Sequence, residues 1–315
     1  MDRLKVASEM YLNWQKELIR VSLKIFFVPQ GKPIALTHEN TELISVPTLD
    51  RQAAARIYSH LLDLGDKIEN QVTHHSEGTG WITLGISGNN YGLPQLGNAI
   101  PWSSTGSAGT VIFMANLAAY TKNKSWSKLS LDAVKTTAKM AGRYSSDFKL
   151  YQSGFNGLPL VIYALLVCAE KLGDESCLDL AYDLVMKIPA RMWGEVTNPD
   201  VMGGSASSIL ALIALHKKVP DDELIKRIQL IGQGILRYQE KEGSNAGGFL
   251  IPSAPRPLLG MAHGAAGIAY ALSKMSSYLG DSTLLPPIHA ALEYERSHYN
   301  QEHQDWPSLW KDPKS

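Results

Sequence analysis

The stretch that decides the fold is GMAHGAAGIAYALSKMSSYLG, residues 260–280. Small residues crowd its start, and His263 stands immediately before Gly264. An apolar run then follows. Alone, the stretch reads either as an ordinary helix start with a packed histidine or as a narrow opening that holds a reactive group. Three other stretches repeat its plan: TGSAGTVIFMANLAAY at 105–120, SGFNGLPLVIYALLVCAEKLG at 153–173 and GGSASSILALIALHKK at 203–218. Each sets two small residues three apart and then begins an apolar helix. Gly106, Gly154, Gly204 and Gly264 mark the four units, at steps of 48, 50 and 60 residues. A period of this size marks a repeat architecture.

A second amphipathic segment follows each apolar one: residues 128–142, 177–192, 222–241 and 283–299. The first helix of each unit is apolar nearly all round, which argues for burial on several sides. The second carries charge on one face, which argues for an outer position. The expectation is an all-α fold, an α/α toroid of helical hairpins with inner helices ringed by outer ones. Glycine has no Cβ, so inner helix starts approach closely at the narrow end of such a ring. Strand signals are sparse, ITLGIS at 82–87 being the main candidate, and the reading gives it little weight. Ahead of the repeats, Met10, Trp14, Leu18, Val21 and Ile25 space an amphipathic helix. A second helix is expected from Asp50 to about Val72. The Gly- and Asn-rich stretch from His74 to Ser104 is long for a connection. The reading divides the chain into a junction segment, 1–50, and a toroid domain, 51–315.

Composition removes several function classes. The chain has 315 residues, 44% of them hydrophobic and 19% charged, enough for a large core. Formal net charge is zero, so no electrostatic footprint for nucleic acid or an acidic membrane is present. There are two cysteines, Cys168 and Cys177, both in apolar helical surroundings, and no disulfide framework is implied. No apolar run is long enough to span a bilayer, and the N-terminus lacks the apolar core of a signal peptide. A cytoplasmic location is expected.

Two residues stand out chemically. His263 lies one residue before its glycine, and Asp200, in NPDVMGGSASSI, lies four before Gly204. These are equivalent ends of consecutive units, and consecutive inner helices of a toroid are neighbours. An acid–base pair of Asp200 and His263 is therefore geometrically open. The plainer reading makes Asp200 a turn or capping aspartate and His263 a packed side chain. Other matches are weak. TGSAG at 105–109 lacks the first glycine of a nucleophile elbow, and SWSK at 125–128 lacks its companion motifs. His74–His75 and the set His298, Glu302 and His303 show no recognised metal-ligand spacing. Cys168 reads as core.

The four small-x-x-small units, with DVMGGSAS and GMAHGAAGIA among them, resemble the lanthionine synthetase C-like family. The segment ALEYERSHYNQEHQDWPSL at 291–309 is similar to the cyclase domain of the bifunctional class II enzymes, and so is the N-terminal helix. The resemblance implies an α/α toroid and a chemistry, the addition of a peptide cysteine thiol to dehydroalanine or dehydrobutyrine to form a thioether ring. It implies a precursor peptide as partner, and it carries proton-transfer or positioning roles onto Asp200 and His263. It also implies zinc, held by two Cys and one His in motifs downstream of the Trp-Pro segment. Here the chain stops at WPSLWKDPKS, and neither motif occurs. Ser207 also stands where the third unit of the family has a glycine. The expectations are thus an incomplete ring, no metal site and no cofactor in this chain, and little or no cyclase activity from it alone. A second chain would supply the remaining hairpins. Two other classes stay open: a non-catalytic toroid that binds a peptide or partner, and an α/α-barrel glycoside hydrolase, for which Glu195 would be the second carboxylate beside Asp200.

Overall fold

The computed structural model describes residues 51–75, 78–86, 94–98, 106–143, 154 and 157–310. The helix expected over residues 10–25 lies outside them. The chain divides into two compact units, Met1–Leu64 with Leu84–Gly97, and Gly65–Thr83 with Asn98–Ser315. The architecture is all-α in its bulk: four helical hairpins in succession, an α/α toroid arrangement, fill the second unit.

Helix α1, Arg51–Asn70, occupies the range the sequence spacing predicts. The strands are the main departure from expectation. β1, Val72–His75, pairs antiparallel with β2, Gly78–Ile86, and β3, Pro94–Asn98, completes a three-stranded sheet in the order β1-β2-β3. Residues 82–86 of ITLGIS therefore fall in a real strand. Trp81 explains part of this: its ring is buried and its Nε1 donates to the Ile68 carbonyl at 2.8 Å, fastening the strand to the end of α1. The Thr79 N–H donates to Thr136 Oγ1 at 3.0 Å. A sheet held by a few side-chain anchors gives no period-two signal in a Gly-rich stretch.

The hairpins are α2 (Ser107–Thr121) with α3 (Lys124–Arg143), α4 (Leu158–Leu172) with α5 (Ser176–Met186), α7 (Ala206–His216) with α8 (Asp222–Leu236), and α9 (Ala265–Leu279) with α10 (Leu285–Ser297). A short helix α6, Ala190–Trp193, follows Pro189, which ends the segment read from sequence as one helix. The reversals reuse one chemistry. Three first helices end where the backbone turns left-handed, at Lys122, Gly173 and Gly280. Each second helix is entered through an Asn or Asp whose side chain accepts from the backbone two residues on: Asn123, Asp174, Asp221 and Asp281. Such capping satisfies amides that a helix start leaves unpaired.

The apolar first helices form the inner layer. α2 packs on α4, α4 on α7, and α7 on α9. Met114, Ile162, Leu165, Ile209, Leu212 and Leu272 of these helices are fully buried, and α3 and α8 add Trp126, Ile228 and Ile231 from outside. Each such side chain contributes about 1.5–3 kcal/mol on burial. After α10 the chain folds back: Leu309 packs with Ile251 and Leu258, and the Trp306 Nε1 donates to the Glu295 carbonyl at 2.9 Å.

Candidate functional site

The connection entering α7 is wound tightly around Asp200. The Asn198 carbonyl accepts from the Ser205 N–H at 2.9 Å, and the Asp200 carbonyl accepts from the Ala206 N–H at 3.2 Å. Asp200 Oδ1 accepts from the Gly203 N–H at 2.7 Å. A Cβ on Gly204 would strike the Asn198 carbonyl, so this turn needs glycine. The connection entering α9 is equally tight: the Leu258 carbonyl accepts from the Ala265 N–H and the Gly260 carbonyl from the Gly267 N–H, at 3.0 and 3.2 Å. The two connections are joined directly, the Met202 N–H donating to the Ala262 carbonyl at 2.9 Å.

Across that joint the two candidate residues meet. His263 Nδ1 lies 2.6 Å from Asp200 Oδ2. The Asp200 side chain is 1% exposed and the His263 side chain 34%. Asp200 therefore divides its oxygens: one holds its own turn, as the capping reading expects, and the other holds the imidazole. A carboxylate has no hydrogen to give, so Nδ1 carries the proton in this bond, and Nε2 is the nitrogen that holds the lone pair in the neutral ring. On its other side His263 meets the Trp310 ring edge to face, with centroids 5.4 Å apart.

Glu295 is a site residue that sequence reading missed. It comes from α10, and its Oε1 accepts from the Gly260 N–H at 2.8 Å and the Ala266 N–H at 2.7 Å, on either side of His263 in the chain. Its neighbour Tyr294 donates to the Pro257 carbonyl at 2.8 Å, and burial pushes the Tyr294 phenol up to about 12. Glu295 sits in the 291–309 segment quoted above, but its partners are backbone amides some thirty residues earlier, which no residue pattern announces.

A cavity of about 600 Å³ opens between α2, α4 and α7, and Val201, the residue after Asp200, lines it. Its walls include Ile112, Leu160, Tyr163, Val201, Leu210 and Ala211, and they are almost wholly apolar. Gly154 completes it without a side chain, because a Cβ there would strike the Val201 carbonyl.

The remaining candidates are not drawn in. Glu195 is exposed on the loop after α6. His74 pairs with Thr79, and His298 bonds to the Tyr294 carbonyl. Among the described residues no three His, Cys, Asp or Glu gather in a group able to hold a metal, and no helix is long and apolar enough to cross a membrane. The two cysteines are buried, and desolvation raises both thiols, Cys177 to about 11 and Cys168 further. Such packed, protonated thiols do not fit a zinc-thiolate site.

The family model for lanthionine synthetase C-like proteins matches residues 103–315, which span all four hairpins and the Asp200–His263 pair. The chain belongs to this family. None of the curated proteins matches it. Among solved structures, the lanthionine synthetase C-like chain is similar to the unsaturated glucuronyl hydrolase from Bacillus sp. GL1, with 12% identity, a TM-score of 0.46, and 82% of this chain and 73% of that one covered. It is also similar to the GH76 α-mannanase BT2949 of Bacteroides thetaiotaomicron, with 11% identity, a TM-score of 0.43, and 84% and 75% covered. A sugar epimerase from a ruminal bacterium follows, with 15% identity, a TM-score of 0.41, and 76% and 72% covered.

Proposed function

We propose that this chain is a lanthionine-cyclase-like domain acting on a precursor peptide, with His263 as the proton-transfer group of thioether formation and Asp200 as the residue that positions it. The observation that carries the reading is the 2.6 Å bond between a buried carboxylate and a partly exposed imidazole, set in the joint between two family repeats. With Nδ1 committed to Asp200, Nε2 is the basic nitrogen. It takes the proton of the attacking thiol as sulfur bonds to the dehydroalanine or dehydrobutyrine β-carbon. The π electrons pass to the neighbouring carbonyl as an enolate. The imidazolium then returns the proton to the α-carbon, and the enolate collapses to the amide. The apolar cavity that Val201 lines, one residue on from Asp200, suits a side chain of the peptide near the reacting residue.

In the wider family, zinc supplies thiolate formation. The described residues offer no fitting donor set, so this chain alone is proposed to leave ordinary peptide thiols largely unreacted at neutral pH.

The test separates proton delivery from thiol activation. An arenethiol, ionised at neutral pH so that Nε2 draws its proton from water in place of the thiol, is added to a dehydroalanine peptide with and without the protein, and the α-carbon configuration of the adduct is read by chiral chromatography. The wild-type chain should give one epimer in excess and a faster reaction. His263→Ala should lose the excess and slow the catalysed rate by roughly 10²-fold or more. Asp200→Asn should do the same, because the amide donates to Nδ1 and moves the proton to Nε2. Equal epimers from the wild-type chain overturn the proposal.

A glycoside hydrolase reading gains nothing from this geometry. Both Asp200 oxygens are engaged, by Gly203 and His263, which suits a positioning group rather than a carboxyl donating to a leaving group.

A further inference from the structure

We infer that Glu295 is a positioning residue for the Asp200–His263 pair, acting through the backbone turn that carries His263 and not through contact with substrate. The inference rests on the reading of that pair as the proton-transfer device.

Glu295 is 8% exposed, at the inward face of α10, two residues before the helix ends at Ser297. A buried carboxylate is costly unless its oxygens are bonded. Oε1 accepts two amides, Gly260 N–H and Ala266 N–H, at 2.8 and 2.7 Å. Those amides bracket the turn from Gly260 to Ala266, with His263 at its middle. Gly260 is left-handed, with φ at 88°, so the turn opens through a backbone state that few side chains support. Ala266 is the second residue of α9, whose first amides have no partner within the helix. One carboxylate oxygen thus closes a seven-residue loop at both ends, and a charged acceptor makes the bonds roughly twice as strong as neutral ones.

The rest of the helix end is anchored around the same residue. The Glu295 carbonyl accepts from Trp306 Nε1, and Trp306 leads into the segment that ends with Trp310 against the His263 ring. Tyr294 ties the preceding strand of loop at Pro257. The Glu295 side chain therefore fixes the turn that bears the imidazole, while its backbone carbonyl anchors the segment whose Trp310 meets the imidazole edge to face. Asp200 fixes Nδ1 from the third side.

A repeat comparison supplies the clean probe. In α4 the second helical residue is Pro159, which has no N–H, and the helix forms there nonetheless. In α9 the same position is Ala266, whose N–H goes to Glu295. Ala266→Pro removes one arm of the clamp at a position where the sister helix accepts proline.

The experiment reads the low-field Nδ1 proton of His263 in the full chain by NMR, assigned by its absence in His263→Ala. The epimer excess in the arenethiol assay is measured on the same samples. Glu295→Ala should lose the low-field signal and the epimer excess, with unchanged helical circular dichroism. Glu295→Gln keeps an oxygen acceptor and should retain the low-field signal. Ala266→Pro should lose it with Glu295 intact, and it carries the test if Glu295→Ala does not fold. A low-field signal that survives in both Glu295→Ala and Ala266→Pro overturns the inference. Loss of the signal in Glu295→Gln to the same degree as in Glu295→Ala also overturns it, because charge and not hydrogen bonding would then be responsible. The signal reports imidazole placement whether or not the chain transfers a proton, so an inactive wild type with the expected signal pattern faults the functional reading alone.

Discussion

At the scale of single residues, Asp200 does two jobs with two oxygens, and substitutions separate them. Asp200→Ala leaves the Gly203 N–H and His263 Nδ1 without their acceptor in a buried turn, where an unmade bond costs about 1–3 kcal/mol. Asp200→Asn keeps an oxygen for Gly203 and should cost less than half as much. Urea unfolding of the two variants checks this, and equal losses would show that the Gly203 bond contributes little. The pair was legible in the sequence because both residues stand at the mouths of consecutive repeats, and packing of α7 on α9 brings those mouths together. Glu295 was not legible. A glutamate in a helix with Glu293 and Arg296 beside it reads as solvated charge, and only the three-dimensional return of α10 under the His263 turn aims it at backbone amides.

At the scale of elements, the hairpins were legible through the alternation of apolar and amphipathic helices, whereas the point at which each helix begins was not. The chain caps α2 at Gly106 and α9 at Gly264, but α4 starts after Gly157 and not after Gly154. Gly154 serves packing instead. An added Cβ meets the Val201 carbonyl and Ser207 Oγ, in the turn next to Asp200. Ser207 Oγ thus faces Gly154, which has no room for a side chain. Gly154→Ala pushes on backbone that has no room to give and should cost about 1–3 kcal/mol, as overpacking does. Gly173→Ala is the control: nothing lies near its Cβ, and its cost, roughly 1 kcal/mol, comes from the left-handed φ of 73°. Both variants lower the thermal midpoint. Only Gly154→Ala should also weaken the His263 low-field signal, because only it moves the Asp200 turn. The sheet escaped the sequence reading for a related reason, its anchors being single side chains such as Trp81 rather than a periodic face.

At the scale of the whole molecule, each inner helix packs on its own outer partner and on the inner helices before and after it, so stability runs along the chain as a series of neighbour contacts. The two cysteines report on that series. Cys168 lies in α4 and Cys177 in α5, both fully buried in the second hairpin, and no other cysteine exists. A native chain at neutral pH should leave both thiols unreacted toward an aromatic disulfide, and denaturant should release two per chain. The pH dependence has a definite sign. Burial raises the folded thiol of Cys177 to about 11, while an unfolded thiol ionises near ~8.5. Above that lower value the unfolded state binds fewer protons than the folded one, so stability falls as pH rises, by up to about 1.4 kcal/mol per pH unit for each thiol. For Cys177 the decline ends near pH 11, where the folded thiol also ionises. Below about pH 8 both states keep the proton and the contribution is flat. Urea midpoints taken between about pH 8 and pH 10, below the range where the Tyr294 phenol adds its own decline, should show the fall in the wild-type chain and roughly half of it in Cys177→Ala. A thiol that reacts at once in the native chain, or a flat alkaline profile, would mean that the second hairpin opens to solvent far more readily than its packing implies.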